Sequence, residues 1–232
     1  VTRAREATSG GPTGDHGPHV LVGDVEQPQL ADQDRHHLER SLRLRYGSPL
    51  TVGDGAGHWR RCRFGPALEP IGEIVTVPRP DPALTVGFAL IKGGRPELVV
   101  QKLTELGINR IRPFVAGRSV VRWDEPKTER SLERLGRVAR EAVMQSRRVW
   151  LPEILPLVPF SDAVTGGAVL AHPTGREIGE SDHTVLIGPE GGWTDEELAS
   201  VADLVALAEH VLRAETAAIA AATLMVARRR GF

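Results

Sequence analysis

Apolar residues along this chain fall into short runs and periodic stripes that alternate between strand and helix signals. The run "HVLVGDV" over residues 19–25 predicts a first strand. Over residues 32–44, Leu38 and Leu42 recur four apart and share one face, while Arg40, Arg43 and Arg45 cover the others. That spacing predicts a helix, capped by Asp32 or Asp34 and ended by Gly47. Residues 50–52 and 59–64 flank Gly53-Asp54-Gly55-Ala56-Gly57, which predicts a hairpin, and residues 71–77 predict another strand. Several short strands with one helix predict a small β-barrel over residues 18–78. The stretch Pro78-Arg79-Pro80-Asp81-Pro82 fixes φ repeatedly and disfavours helix, so the domain linker is placed there.

Longer periods follow. Residues 84–91 predict a strand, and residues 96–106 a helix that buries Leu98, Val99, Leu103 and Leu106 and ends at Gly107. Residues 108–114 predict the next strand. This alternation implies a parallel sheet. Residues 127–146 predict a long helix with Leu132, Leu135, Ala139, Ala142 and Val143 on one face. Strands at 168–171, 185–188 and 204–208 and helices at 194–202 and 214–229 complete an α/β second domain over residues 79–232. Thr194 with Glu197 three residues on has the form of a capping box.

Composition changes this picture in four places. Net charge is -1, so total charge gives no pull toward nucleic acid, but Arg35 to Arg63 holds seven arginines against Glu39 and Asp54. That local basic patch suits phosphates. The single cysteine, Cys62, forms no internal disulfide, and no Cys/His spacing suggests a metal, so a reducing, cytoplasmic setting without metal is expected. No apolar run reaches membrane-spanning length, and residues 1–17, rich in Gly, Ser, Thr and charge, predict a disordered arm without a signal peptide's apolar core. The glycine hairpin at 53–57 lacks the phosphate-loop pattern, and neither glycine loop matches a dinucleotide fingerprint.

The chemistry concentrates in "VLIGPEGGWTDEEL", residues 185–198, read as strand, glycine loop and helix. Glycines there admit a ligand close to backbone N–H groups, at the strand end where α/β sheets bind ligands. Paired with "VLRAETAAIA" at 211–220, with "QKLTELG" at 101–107 and with "EAVMQS" at 141–146, it resembles the RsmE-type ribosomal RNA uridine methyltransferases of the SPOUT (trefoil-knot) superfamily. The likeness spans roughly residues 18–232.

The resemblance implies a SPOUT trefoil-knot methyltransferase domain with a parallel sheet, preceded by a small PUA-like or OB-like RNA-binding β-barrel. It implies a homodimer built on the last helix, with ribosomal RNA of the small subunit as partner, and methylation of uridine N(3) in 16S ribosomal RNA. S-adenosylmethionine is the implied cofactor, held by Ala171, His172 and Pro173, by Ile187, Gly188, Pro189, Glu190, Gly191 and Gly192, and by Leu207, Val211, Leu212, Ala214, Thr216 and Ala217. Arg213 is the first catalytic candidate, stabilising charge on the uracil carbonyls. Glu190 or Glu215 accepts the ring proton or holds a loop. His36, Arg40, Arg43, Arg45, Arg118, Gln145 and Arg147 are the RNA-binding candidates. Ala208, His210 and Ala214 depart from the family's usual Gly, Arg and Thr, and Met144 and Arg147 from its usual "EQSGR" segment. Other readings that keep the fold are a SPOUT enzyme with another target nucleotide and a non-catalytic RNA-binding relative.

Overall fold

The computed structural model describes residues 10–231, apart from residues 94 and 165. The chain divides into two compact units: residues up to Arg79 with Val143–Leu151, and Pro80–Ala142 with the chain from Pro152 onward.

In the first unit β1 (His19–Leu21) runs parallel to β2 (Pro49–Gly53), which pairs antiparallel with β3 (His58–Arg63) as the predicted hairpin. Of the strand expected over 71–77 only β5 (Val75–Thr76) forms, and a further short strand, β4 (Glu69–Pro70), precedes it; both pair with β3. Between them the Gly72 carbonyl turns to accept from Arg60 Nε (3.1 Å) and Nη2 (2.7 Å), which takes the chain out of the ladder.

The expected 32–44 helix is also shorter. α1 (Asp32–His36) passes into one wider π-type turn over His37–Ser41. A π turn winds more residues per turn than the 3.6 that the sequence spacing assumes. Leu38 is fully buried while Leu42, four residues on, is 49% exposed. The capping position is Ala31, so neither Asp32 nor Asp34 is the cap.

Leu38, Leu50, Val52, Cys62 and Phe64 form this unit's core, with Met144 packed against it. Burial pushes the Cys62 thiol up to about 11. Trp150 Nε1 donates to the Val77 carbonyl (3.0 Å), and the Arg79 guanidinium lies over its ring. Residues 1–9 of the expected arm lie outside the described residues. Residues 10–17 are packed: Trp59 Nε1 donates to the Gly10 carbonyl, the His16 ring lies 5.7 Å from that of Trp59, and Arg147 donates to the Gly17 carbonyl.

The second unit is an α/β layer structure. In chain order it carries β6 (Thr85–Ala89), α2 (Arg95–Leu106), β7 (Arg110–Val115), α3 (Glu125–Ser146, its last turn in the first unit), β8 (Glu153–Ile154), β9 (Val158–Pro159) and α4 (Phe160–Ala163). β10 (Ala168–Glu177), β11 (Thr184–Ile187), α5 (Asp195–Ala199), β12 (Leu204–Ala206) and α6 (Ala214–Arg229) follow. The sheet is parallel throughout, in the order β12-β10-β11-β6-β7-β8, with β9 also on β7. All five residues of β6 are buried, as expected of a parallel strand covered on both faces.

α2 buries Pro96, Val99, Val100, Leu103 and Thr104. Leu98, expected inside, is 40% exposed, because Val100 and Thr104 take the adjoining positions of the stripe and the Thr104 hydroxyl is satisfied by the Val100 carbonyl (2.7 Å). Gly107 caps the helix at φ 100. α6 buries Ala214, Ala217, Ala218, Ala221 and Ala222 against α2, β6 and β11. Its small residues therefore serve packing within this unit.

The ends of β10 and β12 shape the site. Val205 pairs with Ala171 and again with Arg176, so residues 172–175 arc around β12. Gly175 makes this possible: a Cβ there would lie 2.4 Å from the Val205 nitrogen. Arg176 then fastens the arc, with Nη1 2.6 Å from Asp182 Oδ2 and Nη2 3.0 Å from Asp203 Oδ2.

Candidate active site

A cavity of about 520 Å³ opens at the arc inside β10 and at the carboxyl ends of β11 and β12. That arc and the segments that follow β11 and β12 line it, as the positions of the glycine stretch and its downstream partner suggest. Ile187, Leu207 and Leu212 supply apolar wall. Trp193 closes one side: its Nε1 donates to the Ala171 carbonyl (3.0 Å), and its ring lies parallel to Phe114 at 6.1 Å and beside Phe160 at 5.5 Å. Gly188 is required by this ring, since a Cβ at 188 would stand 2.8 Å from it.

All the residues assigned to the cofactor by resemblance reach the cavity wall except Gly191 and Thr216. Gly191 presents its carbonyl to Arg118 Nη1 at 3.3 Å, and Thr216 is exposed. Arg118, reasoned as an RNA contact, lines the same cavity. Of the positions that depart from the family pattern, Ala208 and His210 line the wall. Ala208 is not in the left-handed region, so its methyl group costs no backbone strain. Ala214 is the first residue of α6, and the capping position is Arg213. The change from Thr therefore removes no cap.

Arg213 is exposed at that position, lines the cavity, and has no ion-pair partner among the described residues. Glu190 is engaged differently. Arg95 Nη1 stands 3.2 Å from Glu190 Oε1, and Arg95 Nε 3.7 Å from Glu215 Oε1. Glu215 sits in the first turn of α6, where a carboxylate complements the helix dipole, and its Oε2 is buried without a hydrogen-bond partner. Arg95 thus joins the glycine loop after β11 to the first turn of α6 through their acidic residues. Sequence reasoning missed Arg95, which was given no role, and Trp193, which lay inside the quoted motif but was given none either. A lone arginine just before a predicted helix carries no signal of such a link. An aromatic closing the glycine loop does.

The predicted capping box is present: Glu197 N–H donates to Thr194 Oγ1 (3.2 Å) and Thr194 N–H to Glu197 Oε2 (2.8 Å). The buried Glu197 carboxylate also accepts from the Gly117 N–H at 2.8 Å through Oε1. One side chain therefore starts α5 and holds the turn that carries Arg118. In the first unit, His36, Arg40, Arg43 and Arg45 are exposed on α1 and the segment after it, as is Gln145. Arg147 is committed to the Gly17 carbonyl and holds φ 58.

Comparisons with known proteins agree with this geometry. Residues 78–226 match the RNA methyltransferase domain family, and residues 30–66 the RNA methyltransferase PUA domain. The ribosomal RNA small subunit methyltransferase E of Synechocystis sp. is 34% identical over 215 residues, covering 81% of this chain and 69% of that protein. That of Mycobacterium bovis is 31% identical over 210 residues, covering 80% of each. The crystal structure of the Neisseria gonorrhoeae ribosomal RNA small subunit methyltransferase E, bound to S-adenosylmethionine, superposes with a TM-score of 0.78 at 26% identity, covering 90% of this chain and 97% of that one. The parallel α/β unit thus has the SPOUT methyltransferase fold, with a PUA-like unit before it. On the match of its sequence, its sheet and its three-loop cavity, this chain belongs to the RNA methyltransferase family, alongside the ribosomal RNA small subunit methyltransferases E.

Proposed function

We propose that this protein methylates N(3) of a uridine in the 16S ribosomal RNA of the small subunit, using S-adenosylmethionine. The observation that carries the reading is the three-loop cavity with an uncommitted guanidinium, Arg213, on its wall. The wall fits the cofactor: an adenine ring needs apolar surface with backbone polar groups at its edge, which Ile187, Leu207, Leu212 and the adjoining loops supply. S-adenosylmethionine carries no phosphate, and no lysine lines the cavity.

Bound S-adenosylmethionine supplies an electrophilic methyl group on a sulfonium. The new N–C bond takes its electron pair from the ring nitrogen, and the broken S–C pair stays on sulfur as a neutral thioether. Uracil N(3) holds a proton, so the nucleophile forms only as that proton leaves. Arg213 stabilises the negative charge that then spreads over the two carbonyl oxygens. Glu190 takes the proton, its carboxylate placed by Arg95. Glu215 holds the loops through the same arginine. Arg118 and the exposed His36, Arg40, Arg43, Arg45 and Gln145 meet the RNA, and the tight docking of both reactants supplies much of the rate.

The reading includes a cytoplasmic homodimer. Val211, on the cavity wall, is 85% exposed and Val120 is 75% exposed, apolar surface that a second copy would cover. Sedimentation in the presence and absence of S-adenosylmethionine tests this, and a monomer under both conditions removes the second copy from the reading.

The test of the reaction is methyl transfer from labelled S-adenosylmethionine to small subunits lacking the modification, with the product nucleoside identified by mass spectrometry. 3-Methyluridine is the expected product. Another methylated nucleoside sinks the target base, and no transfer despite cofactor binding sinks the reaction.

A further inference from the structure

The second unit holds another cavity, of about 260 Å³, lined by Lys92, Val121, Trp123, Lys127, Ser131 and Arg134 among others. The whole chain has three lysines, Lys92, Lys102 and Lys127. Lys102 is paired with Glu105 at 2.8 Å. The other two stand on this cavity, and neither ammonium group has a partner among the described residues. Arg134 is held by Glu97, 2.5 Å from Nη2 to Oε1, so the local positive charge comes mainly from the two free lysines. Trp123 packs one side against the main core and faces the cavity with the rest, and Ser131, only 7% exposed, places a buried side chain in the wall.

Its position matters as much as its chemistry. Lys92, Gly93 and Pro96 line this second cavity. Arg95, the first residue of α2, pairs with Glu190 on the wall of the first. The two cavities thus flank the start of α2.

We propose that the second cavity binds a nucleotide of the substrate RNA that neighbours the methylated one, its base against the Trp123 indole and its phosphates on Lys92 and Lys127. Three features select this ligand. The volume lies below the usual range for a whole cofactor and suits one ring-sized group. Lysine ammonium groups on flexible stems are point-charge partners for phosphate. An aromatic side chain lining such a cavity stacks any base without regard to sequence. An acidic peptide would use the lysines and leave the indole; an acyl chain would use the indole and leave the lysines. The inference rests on the RNA methyltransferase reading given above.

The test compares the parent with Lys92→Ala/Lys127→Ala, Trp123→Leu and Trp123→Phe, all checked for an unchanged melting temperature. The double lysine variant should raise KM for the small subunit about tenfold with the Kd for S-adenosylmethionine unchanged. It should also flatten the log–log salt dependence of RNA binding by about 1.4, the loss of two phosphate contacts on a single strand. Trp123→Leu should raise KM several-fold, and Trp123→Phe should restore it, since phenyl also stacks. KM and salt slope within twofold of the parent in the double variant overturn the proposal. So does competition by uridine monophosphate that the double variant abolishes while subunit KM stays at the parent value, because that marks a site for free nucleotide. If the parent itself transfers no methyl group, the reaction fails but the subsite is still decided. Anisotropy of a short fluorescent 16S RNA fragment then reads it: weaker binding to the double variant supports the subsite, and equal binding overturns it.

Discussion

Arg213 stands apart from the other arginines at the site because its guanidinium has no hydrogen-bond or ion-pair partner among the described residues. Arg118 donates to Gly191, and Arg95 is shared between Glu190 and Glu215. On the proposed reading, that unpartnered guanidinium meets the charge that develops on the substrate. Arg213→Ala should cut kcat about 10²–10³-fold, the range seen when one preorganised donor is removed, while S-adenosylmethionine binding by calorimetry stays within a few fold. A parent-like rate in single-turnover assays removes Arg213 from the chemistry. A second residue reports on stability instead. His19 is 4% exposed, and burial, then the nearby Arg147 charge, lowers its pKa from 6.5 to about 4. The folded state therefore holds His19 neutral. As pH falls below 6.5 the unfolded chain takes up the proton first, so the stabilisation is full above 6.5, is lost between 6.5 and 4, and is gone below. The shift corresponds to about 3 kcal/mol. Urea midpoints measured from pH 7.5 to 4.5 should fall in the parent and flatten in His19→Gln. Hydrogen bonds to Asp54 and Asp182 hold both carboxyls below their usual range, so their contribution is lost mainly below about pH 5, at the acid end of this window and beyond it.

Elements were legible where a single period governed them. α2, α3 and α6 begin and end within two residues of their predicted bounds, because long apolar stripes with glycine or capping signals leave little choice. The signal failed where a local hydrogen bond overrode the period. The π-type turn separates Leu42 from Leu38, and the Arg60–Gly72 bond takes the first part of the strand expected at 71–77 out of the ladder, leaving Val75–Thr76. The glycine loop and its partner stretch identified most of the cavity wall, since contiguous residues of strand-end loops share one face of the sheet. Arg95 and the Glu197–Gly117 bond were hidden because each joins segments far apart in the chain, the latter 80 residues. That second link gives an element-level prediction. The Glu197 carboxylate accepts from two backbone N–H groups, Gly117 and Thr194, and glutamine offers a single acceptor oxygen. Glu197→Gln should cost about 1–3 kcal/mol of stability, the penalty of one buried unsatisfied donor. It should also raise KM for the small subunit more than it raises the Kd of S-adenosylmethionine, because Arg118 rides on the released turn. Equal changes in both constants, with Thr194→Ala behaving identically, would mean that only the helix start matters.

For the whole molecule, net charge and local charge point in different directions. At -1 the protein has no long-range attraction for RNA, so binding must come from cations that are both clustered and free. The seven arginines from Arg35 to Arg63 are not equivalent in this respect. Arg35 is spent on the Gly65 and Pro66 carbonyls and lies over the Phe64 ring, and Arg60 on Gly72. Arg40, Arg43 and Arg45 are exposed, with Tyr46, 65% exposed, beside them as an aromatic face. A protein that depended on its total charge would lose little affinity when three of its 29 cationic residues are removed. One that depends on a patch loses a defined number of phosphate contacts. Arg40→Ala/Arg43→Ala/Arg45→Ala should therefore reduce the slope of log K against log salt for 16S RNA by about 2, at about 0.7 per single-strand phosphate, with cofactor affinity and melting temperature unchanged. Arg35→Ala should do the reverse, lowering the melting temperature while leaving the salt slope close to the parent. If Arg35→Ala alone moves the slope and the triple variant does not, the arginines that hold the fold are also those that hold the RNA, and the division between structural and free cations fails.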